Sequence, residues 1–156
     1  MKLFYDSFEN GLKQILLYLV AAIVFVTMLQ IVARFVLEIS VPWTEELARY
    51  LMIWTSYIGL GVAYRKGQLI CVSFVRDLLS PKAIKKVVLV SDLLCSIFAV
   101  IVIVYGIKLC ILNGNQVSPS LRWPLSIIYA AIPFGCFLYI LFAFESVVSF
   151  FSENRS

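Results

Sequence analysis

The chain has 156 residues, of which 62% are hydrophobic and 14% are charged, and its formal net charge is +4. Soluble domains are roughly 45–50% apolar and about 25% charged, so this composition excludes an ordinary soluble domain and predicts a membrane protein. The excess positive charge is typical of loops that face anionic headgroups and does not indicate nucleic-acid binding.

Four apolar segments predict four membrane-spanning α-helices. Each is about 18–21 residues long, close to the ~20 residues that a helix needs to cross ~30 Å of hydrocarbon. They show no alternation of apolar and polar residues, which disfavours a transmembrane β-barrel. The first segment is too long for a secretory signal, and we expect it to be retained. The predicted spans are residues 15–33, 47–64, 87–107 and 125–144.

The distribution of basic residues predicts the orientation in the membrane. With four spans, both termini and the linker 65–86 lie on one side, which carries nine lysines and arginines against four on the other side. Basic residues favour the cytoplasmic side. We therefore predict one all-α membrane domain, residues 1–156, with both termini in the cytoplasm.

Segments outside the spans carry weaker signals. The first 14 residues fit either a short interfacial helix or a partly ordered tail. The linker 65–86 is too apolar for a free loop and fits an interfacial helical arm or an extension of the second span. Segment 113–124 is rich in Asn, Gly, Ser and Pro, which predicts a turn region. Pro133 lies inside the fourth span, where we expect a kink.

The sequence lacks the residues of most catalytic and cofactor sites. It has no histidine, which excludes histidine-ligated haem and histidine-based acid–base catalysis. It has no phosphate-binding loop of the form G-x-x-x-x-G-K-[ST]. Its four cysteines lack metal-ligand spacing and fit a role as small apolar residues. We therefore predict no catalytic residue, no metal site and no cofactor in this chain, and no enzymatic activity.

The placement of acidic residues argues against an autonomous pump. Asp92 and Glu145 lie near the predicted cytoplasmic ends of their spans, where water can solvate them, and no carboxylate lies near the middle of the membrane. No inverted repeat is visible, unlike in transporters built from two related halves. A stand-alone oligomeric transporter or channel, and a membrane assembly or anchoring factor, stay open as alternatives.

Residues 42–66, PWTEELARYLMIWTSYIGLGVAYRK, are the most informative segment. Two carboxylates, Glu45 and Glu46, open it, and Arg49 follows Glu45 by four positions. In one interpretation the acids favour the positive end of the helix dipole and Glu45 pairs with Arg49. In the other, these boundary charges contact a partner subunit or a lipid headgroup.

The rest of this segment has aromatic and small residues at helical spacing. Tyr50 and Trp54 lie on one helical face, and Gly59 and Gly61 permit the close approach of another helix. Trp43 suits the headgroup layer. We predict that this face makes the main helix–helix contact.

These residues resemble the signature of the DctQ-type small membrane subunit of TRAP transporters, the tripartite ATP-independent periplasmic transporters. The resemblance covers nearly the whole chain in length, four-span layout and order of motifs. It departs from the family pattern at Leu69, where a histidine is common, and at Ser73, where an acidic residue is usual. The matching residues are Arg34, Trp43 through Tyr50, Trp54, Gly59, Gly61, Arg65, Gly67, Ser118 through Ser120, Trp123, Pro124 and Tyr129 through Pro133.

The resemblance implies a scaffold subunit in a bacterial inner-membrane importer. In that family a periplasmic binding protein captures an organic acid and docks transiently, and a large multi-span subunit, bound stably to the small one, carries the acid inward with sodium. Sodium is therefore expected in the large subunit, and C4-dicarboxylates and sialic acid are both compatible substrates. The candidate contacts with the large subunit or with phospholipid are Arg34, Trp43, Glu45, Glu46, Arg49, Tyr50, Trp54, Gly59, Gly61 and Arg65.

Overall fold

The computed structural model describes residues 2–66 and 81–153, and this part of the chain is helical with no β-strand. The predicted arm in the linker, together with Gly67, Leu69 and Ser73, lies outside the described residues. The described residues form five helices, in chain order α1 (Lys2–Phe35), α2 (Pro42–Arg65), α3 (Pro81–Leu112), α4 (Leu125–Tyr129) and α5 (Ala131–Glu153).

Helix α1 is one continuous helix of 34 residues. Residues 2–14 form its opening turns, so neither a separate interfacial helix nor a partly ordered tail describes them. The reason is the spacing of their apolar residues: Tyr5, Phe8 and Leu12 recur every three or four positions, and all three join the core cluster with α2 and α5. At 1.5 Å per residue the helix is about 50 Å long.

Within the described ranges, three helical segments are long and apolar enough to cross a membrane: Tyr5–Phe35, Val90–Leu112 and Leu125–Glu145. The third contains a break at Ala130, between α4 and α5. Pro133 has no backbone N–H group, so it cannot donate the usual helical hydrogen bond to the carbonyl oxygen four residues earlier. Helix α2 has 24 residues and therefore the length to span, but its first turns carry three charged side chains.

The long helices pack in the order α1, α2, α5, α3. Among the described residues, α1 approaches α2, α2 approaches α5, and α5 approaches α3, whereas no Cα atoms of α1 and α3 come within 8 Å of each other. One core cluster joins α1, α2 and α5, and a second joins α3 and α5. Their buried members are Leu12, Ile58, Val62, Leu138 and Phe142 in the first, and Ala99, Cys136, Tyr139 and Ala143 in the second.

Two glycines set the close approach of α2 and α5. A Cβ atom on Gly135 would lie 2.6 Å from the Cβ atom and 2.7 Å from the carbonyl oxygen of Tyr57, and one on Gly61 would lie 3.0 Å from Cβ of Leu138. Gly61 therefore packs inside the chain. Gly59 differs, because a Cβ atom there would have nothing within 4 Å.

Candidate functional site: polar networks at the two ends of helix α2

The Glu46 carboxylate is the centre of a network at the N-terminal end of α2. Its residue is 8% exposed. The Oε2 atom accepts hydrogen bonds from the backbone N–H groups of Ser120 and Leu121, at 2.9 and 3.1 Å, and Oε1 accepts one from the Tyr50 hydroxyl. Glu46 thus joins α2 to the loop between α3 and α4, 74 positions later in the chain.

That loop is a closed turn that presents the two N–H groups. Val117 and Pro124 form an isolated antiparallel bridge. The Ser118 N–H donates to the Trp123 carbonyl at 2.8 Å, and the Trp123 N–H donates to the Ser118 Oγ atom at 3.2 Å. Arg122 has a φ of 58°, in the left-handed region that residues other than glycine rarely adopt. The turn predicted over 113–124 is therefore present, and its own hydrogen bonds hold it in one conformation.

The surroundings of Glu46 keep its carboxylate charged. Burial raises the pKa of this group, but hydrogen bonds from Tyr50, Ser118 and the two backbone N–H groups outweigh the burial, and the net pKa is lowered. Glu46 precedes the predicted apolar span 47–64. A buried carboxylate with several neutral donors is held in one place without a cationic partner.

Glu45 and Arg49 lie next to Glu46 on the same helix turns but have different surroundings. Both residues are exposed. The predicted i,i+4 ion pair between them does not form, since the ion pairs of the described residues involve Arg65 and Lys13 only. The adjacent carboxylates Glu45 and Glu46 therefore have different surroundings, one facing outward and one buried against the turn.

Arg65 is the centre of the second network, at the C-terminal end of α2. Its Nε and Nη2 atoms donate to the two carboxylate oxygens of Glu145, at 2.9 and 3.0 Å. Nη2 also donates to Asp6 Oδ1 at 2.7 Å, and Nη1 donates to the Tyr5 carbonyl at 2.9 Å and to Glu9. All five N–H donors of the guanidinium group are thereby used.

The Arg65 network connects three helices. Asp6 and Glu9 belong to α1, Arg65 to α2 and Glu145 to α5. The Arg65 side chain is only 13% exposed, and its guanidinium lies 5.6 Å from the centre of the Phe142 ring. A largely buried cation with three bound carboxylates and an aromatic neighbour is a strong constraint on how the helix ends meet.

Sequence reasoning found Arg65 but missed its partners. Glu145 was predicted to be solvated from the headgroup layer, whereas it forms the bidentate pair. Asp6 and Glu9 were given no role by the sequence. The available signal was topological, because all three acids and Arg65 lie at predicted cytoplasmic helix ends.

The remaining predicted site residues are dispersed. Arg34 and Trp43 are exposed, and the Arg34 guanidinium lies 6.0 Å from the Phe35 ring centre. Trp54 is partly buried, with its ring centre 5.9 Å from that of Phe134. In the described part of the chain, no group of three or more His, Cys, Asp or Glu side chains could hold a metal ion.

The two networks are separated by one membrane thickness. Arg65 follows Glu46 by 19 positions on a single helix, which corresponds to about 28 Å at 1.5 Å per residue. The hydrocarbon core of a bilayer is about 30 Å thick. Glu46 and Arg65 therefore lie at the two ends of a segment about as long as the hydrocarbon core is thick.

Comparison with known protein families gives one match over most of the chain. The family described as "Tripartite ATP-independent periplasmic transporters, DctQ component" matches residues 23–153. The matched region includes both ends of α2 and the turn that binds Glu46.

Individual relatives are small permease proteins of such transporters. The ectoine TRAP transporter small permease protein TeaB of Halomonas elongata is 29% identical over 111 residues, covering 70% of this chain and 58% of the relative. The sialic acid TRAP transporter small permease protein SiaQ of Vibrio cholerae is 33% identical over 99 residues, covering 62% and 57%. A putative TRAP transporter small permease protein of Haemophilus influenzae is 24% identical, covering 79% and 76%. The chain thus spans somewhat over half the length of the first and second of these relatives.

Proposed function

Because the chain belongs to the DctQ family of TRAP transporter components, we propose that it is the four-span scaffold subunit of a sodium-coupled inner-membrane importer of an organic acid. Its partners are a large multi-span subunit, bound stably, and a periplasmic binding protein, docked transiently. The sodium site belongs to the large subunit. This chain is not an enzyme.

The observation that carries the proposal is the spacing of the two networks on α2. A helix with charged residues at both ends and about 28 Å between them fits a bilayer, even though α2 is more polar than the other long helices. Counting α2 as a span gives four spans. The Arg65 end then lies in the cytoplasm, on the side predicted for both termini from the basic residues.

The networks support a static role rather than a moving one. Glu46 fixes α2 to the turn before α4, and Arg65 fixes α2 to α1 and α5. Both groups have their hydrogen bonds satisfied within the chain, so neither is available to carry an ion or a substrate. Such a domain suits a fixed support, with the boundary charges in reach of the partner or of phospholipid headgroups.

The substrate is selected by the partners of this chain. Relatives named for ectoine and for sialic acid both match it, at 29% and 33% identity. Two such different compounds with similar small subunits favour selection elsewhere. We therefore assign only the class of organic acids.

Reconstitution tests the proposal. Proteoliposomes with the large subunit, this chain, the binding protein and an inward sodium gradient should accumulate the organic acid that the binding protein retains, and omission of this chain should abolish uptake. Uptake that persists without this chain would refute the scaffold role. Flux through liposomes that contain this chain alone would instead establish a stand-alone transporter or channel.

A further inference from the structure

Among the residues that the structure describes, one face of α2 is not covered by another helix. Its residues recur every three or four positions, which places them on one side of the helix. Glu45, Arg49 and Ser56 are exposed, Met52 is 58% exposed, and Gly59 has open space around its Cα atom. We call these five residues the outward face of α2. The opposite side of the helix, with Ile58 and Val62, is buried in the core.

The outward face differs from the other exposed surfaces of the chain. The exposed parts of α1 and α3 include many large apolar side chains, such as Leu17, Phe25 and Ile111, which suit contact with lipid. The outward face instead carries the Ser56 hydroxyl, a glycine at position 59 and the charges of Glu45 and Arg49. Of the long helices that the structure describes, α2 is the one that is not among the segments long and apolar enough to cross a membrane, so lipid alone is a poor neighbour for it.

The charges on this face favour a protein neighbour. Glu45 and Arg49 are one helical turn apart and have opposite signs, yet the described residues provide no ion pair for either of them. An exposed acid and base at a fixed spacing select a surface with the reverse order of charges. Deeper in the membrane, Ser56 and Gly59 allow the backbone of a second helix to approach closely.

We infer that the outward face of α2 is the surface on which a transmembrane helix of the large TRAP subunit packs. This inference rests on the proposed function, because the large subunit is its partner. Ser56 and Gly59 provide the close contact, and Glu45 with Arg49 sets the depth of the partner helix at the membrane boundary.

Co-purification with matched variants tests the inference. The complex is isolated through a tag on the large subunit, and the amount of this chain retained per large subunit is measured. Ser56→Leu and Gly59→Leu change the outward face. Ser91→Leu on α3 and Gly11→Leu on α1 are matched controls, since Ser91 is exposed and Gly11 has nothing within 4 Å of its Cβ position.

We expect roughly tenfold less retained chain for the two outward-face variants, while the controls stay at the level of the unmodified chain. Retention of the outward-face variants at that level, or equal loss of the controls, overturns the inference. If the unmodified chain is itself not retained, the proposed function fails rather than the choice of face.

A photo-crosslinking amino acid separates a local contact from a folding defect. Placed at position 56 it should crosslink to the large subunit, and placed at position 91 it should not. Crosslinks from position 56 only to lipid, or to a second copy of this chain, overturn the inference even if the leucine variants assemble poorly.

Discussion

Arg65 and Glu145 lie 80 positions apart in the sequence and form a bidentate ion pair, with nitrogen–oxygen distances of 2.9 and 3.0 Å. The same guanidinium binds two groups of α1 through Nη1, the Tyr5 carbonyl and the Glu9 carboxylate. One side chain therefore fixes the mutual position of three helices. Only a planar group with five donors can make this set of contacts.

We predict that Arg65→Lys destabilises the chain although it retains the charge. A lysine ammonium has three donors and no planar fork, so it cannot bind both Glu145 oxygens and also reach α1. Removal of one member of a buried ion pair typically destabilises by about 3–5 kcal/mol, and we expect Arg65→Ala to approach the lower value because Asp6 is largely exposed. Thermal unfolding in detergent, followed by size-exclusion chromatography, measures the effect.

Lys66→Ala is the matched control for Arg65, because Lys66 is exposed and adjacent. It should unfold at the temperature of the unmodified chain. Equal unfolding temperatures for Arg65→Lys and the unmodified chain would show that charge alone, and not the fork geometry, holds the helix ends.

We predict that Glu46 and Glu45 respond differently to the same change. Glu46→Gln removes the negative charge, so the hydrogen bonds from the Ser120 and Leu121 N–H groups become weaker, and its NH₂ group must donate to the Tyr50 hydroxyl oxygen instead of an oxygen accepting from it; the turn should therefore loosen. Glu45→Gln alters an exposed side chain and should leave the fold unchanged. Protease sensitivity of the turn 116–125 and thermal unfolding both report on this difference.

A loss of large-subunit binding on Glu45→Gln, with a normal unfolding temperature, would support the interface on α2. If instead Glu45→Gln lowers the unfolding temperature as much as Glu46→Gln, the separation of the two carboxylates is wrong.

The pKa of Glu46 predicts a pH dependence of stability. The pKa is lowered in the folded chain from an ordinary value of 4.5, so the charged form stabilises the fold above about pH 4.5, and this contribution is lost as the pH falls toward the folded pKa. The difference in unfolding temperature between the unmodified chain and Glu46→Gln should therefore be constant from pH 7 to about 5 and shrink below pH 4.5. A difference that grows on acidification would contradict the lowered pKa.

The sequence predicted the elements well and their side-chain partners poorly. Apolar length placed the long helices, and Pro42 marked the start of α2, because both signals are local. The partners of Arg65 come from residues 5–9 and 145, and those of Glu46 from residues 118–121, so they depend on how distant segments pack. Gly61 indicated the close approach of another helix, but only the packing of α5 shows that the neighbour is Leu138.

We predict that Gly135→Ala is among the most harmful single-methyl changes in the chain. The new Cβ atom would lie 2.6 Å from the Tyr57 Cβ atom and 2.7 Å from its carbonyl oxygen, so α2 and α5 must move apart along their contact. Overpacking of this kind typically destabilises by about 1–3 kcal/mol. Gly11→Ala is the matched control, because its Cβ atom meets nothing within 4 Å and alanine favours a helix over glycine by about 1 kcal/mol. Thermal unfolding should therefore separate the variants in opposite directions, and an unchanged unfolding temperature for Gly135→Ala would mean that α2 and α5 pack less closely than described.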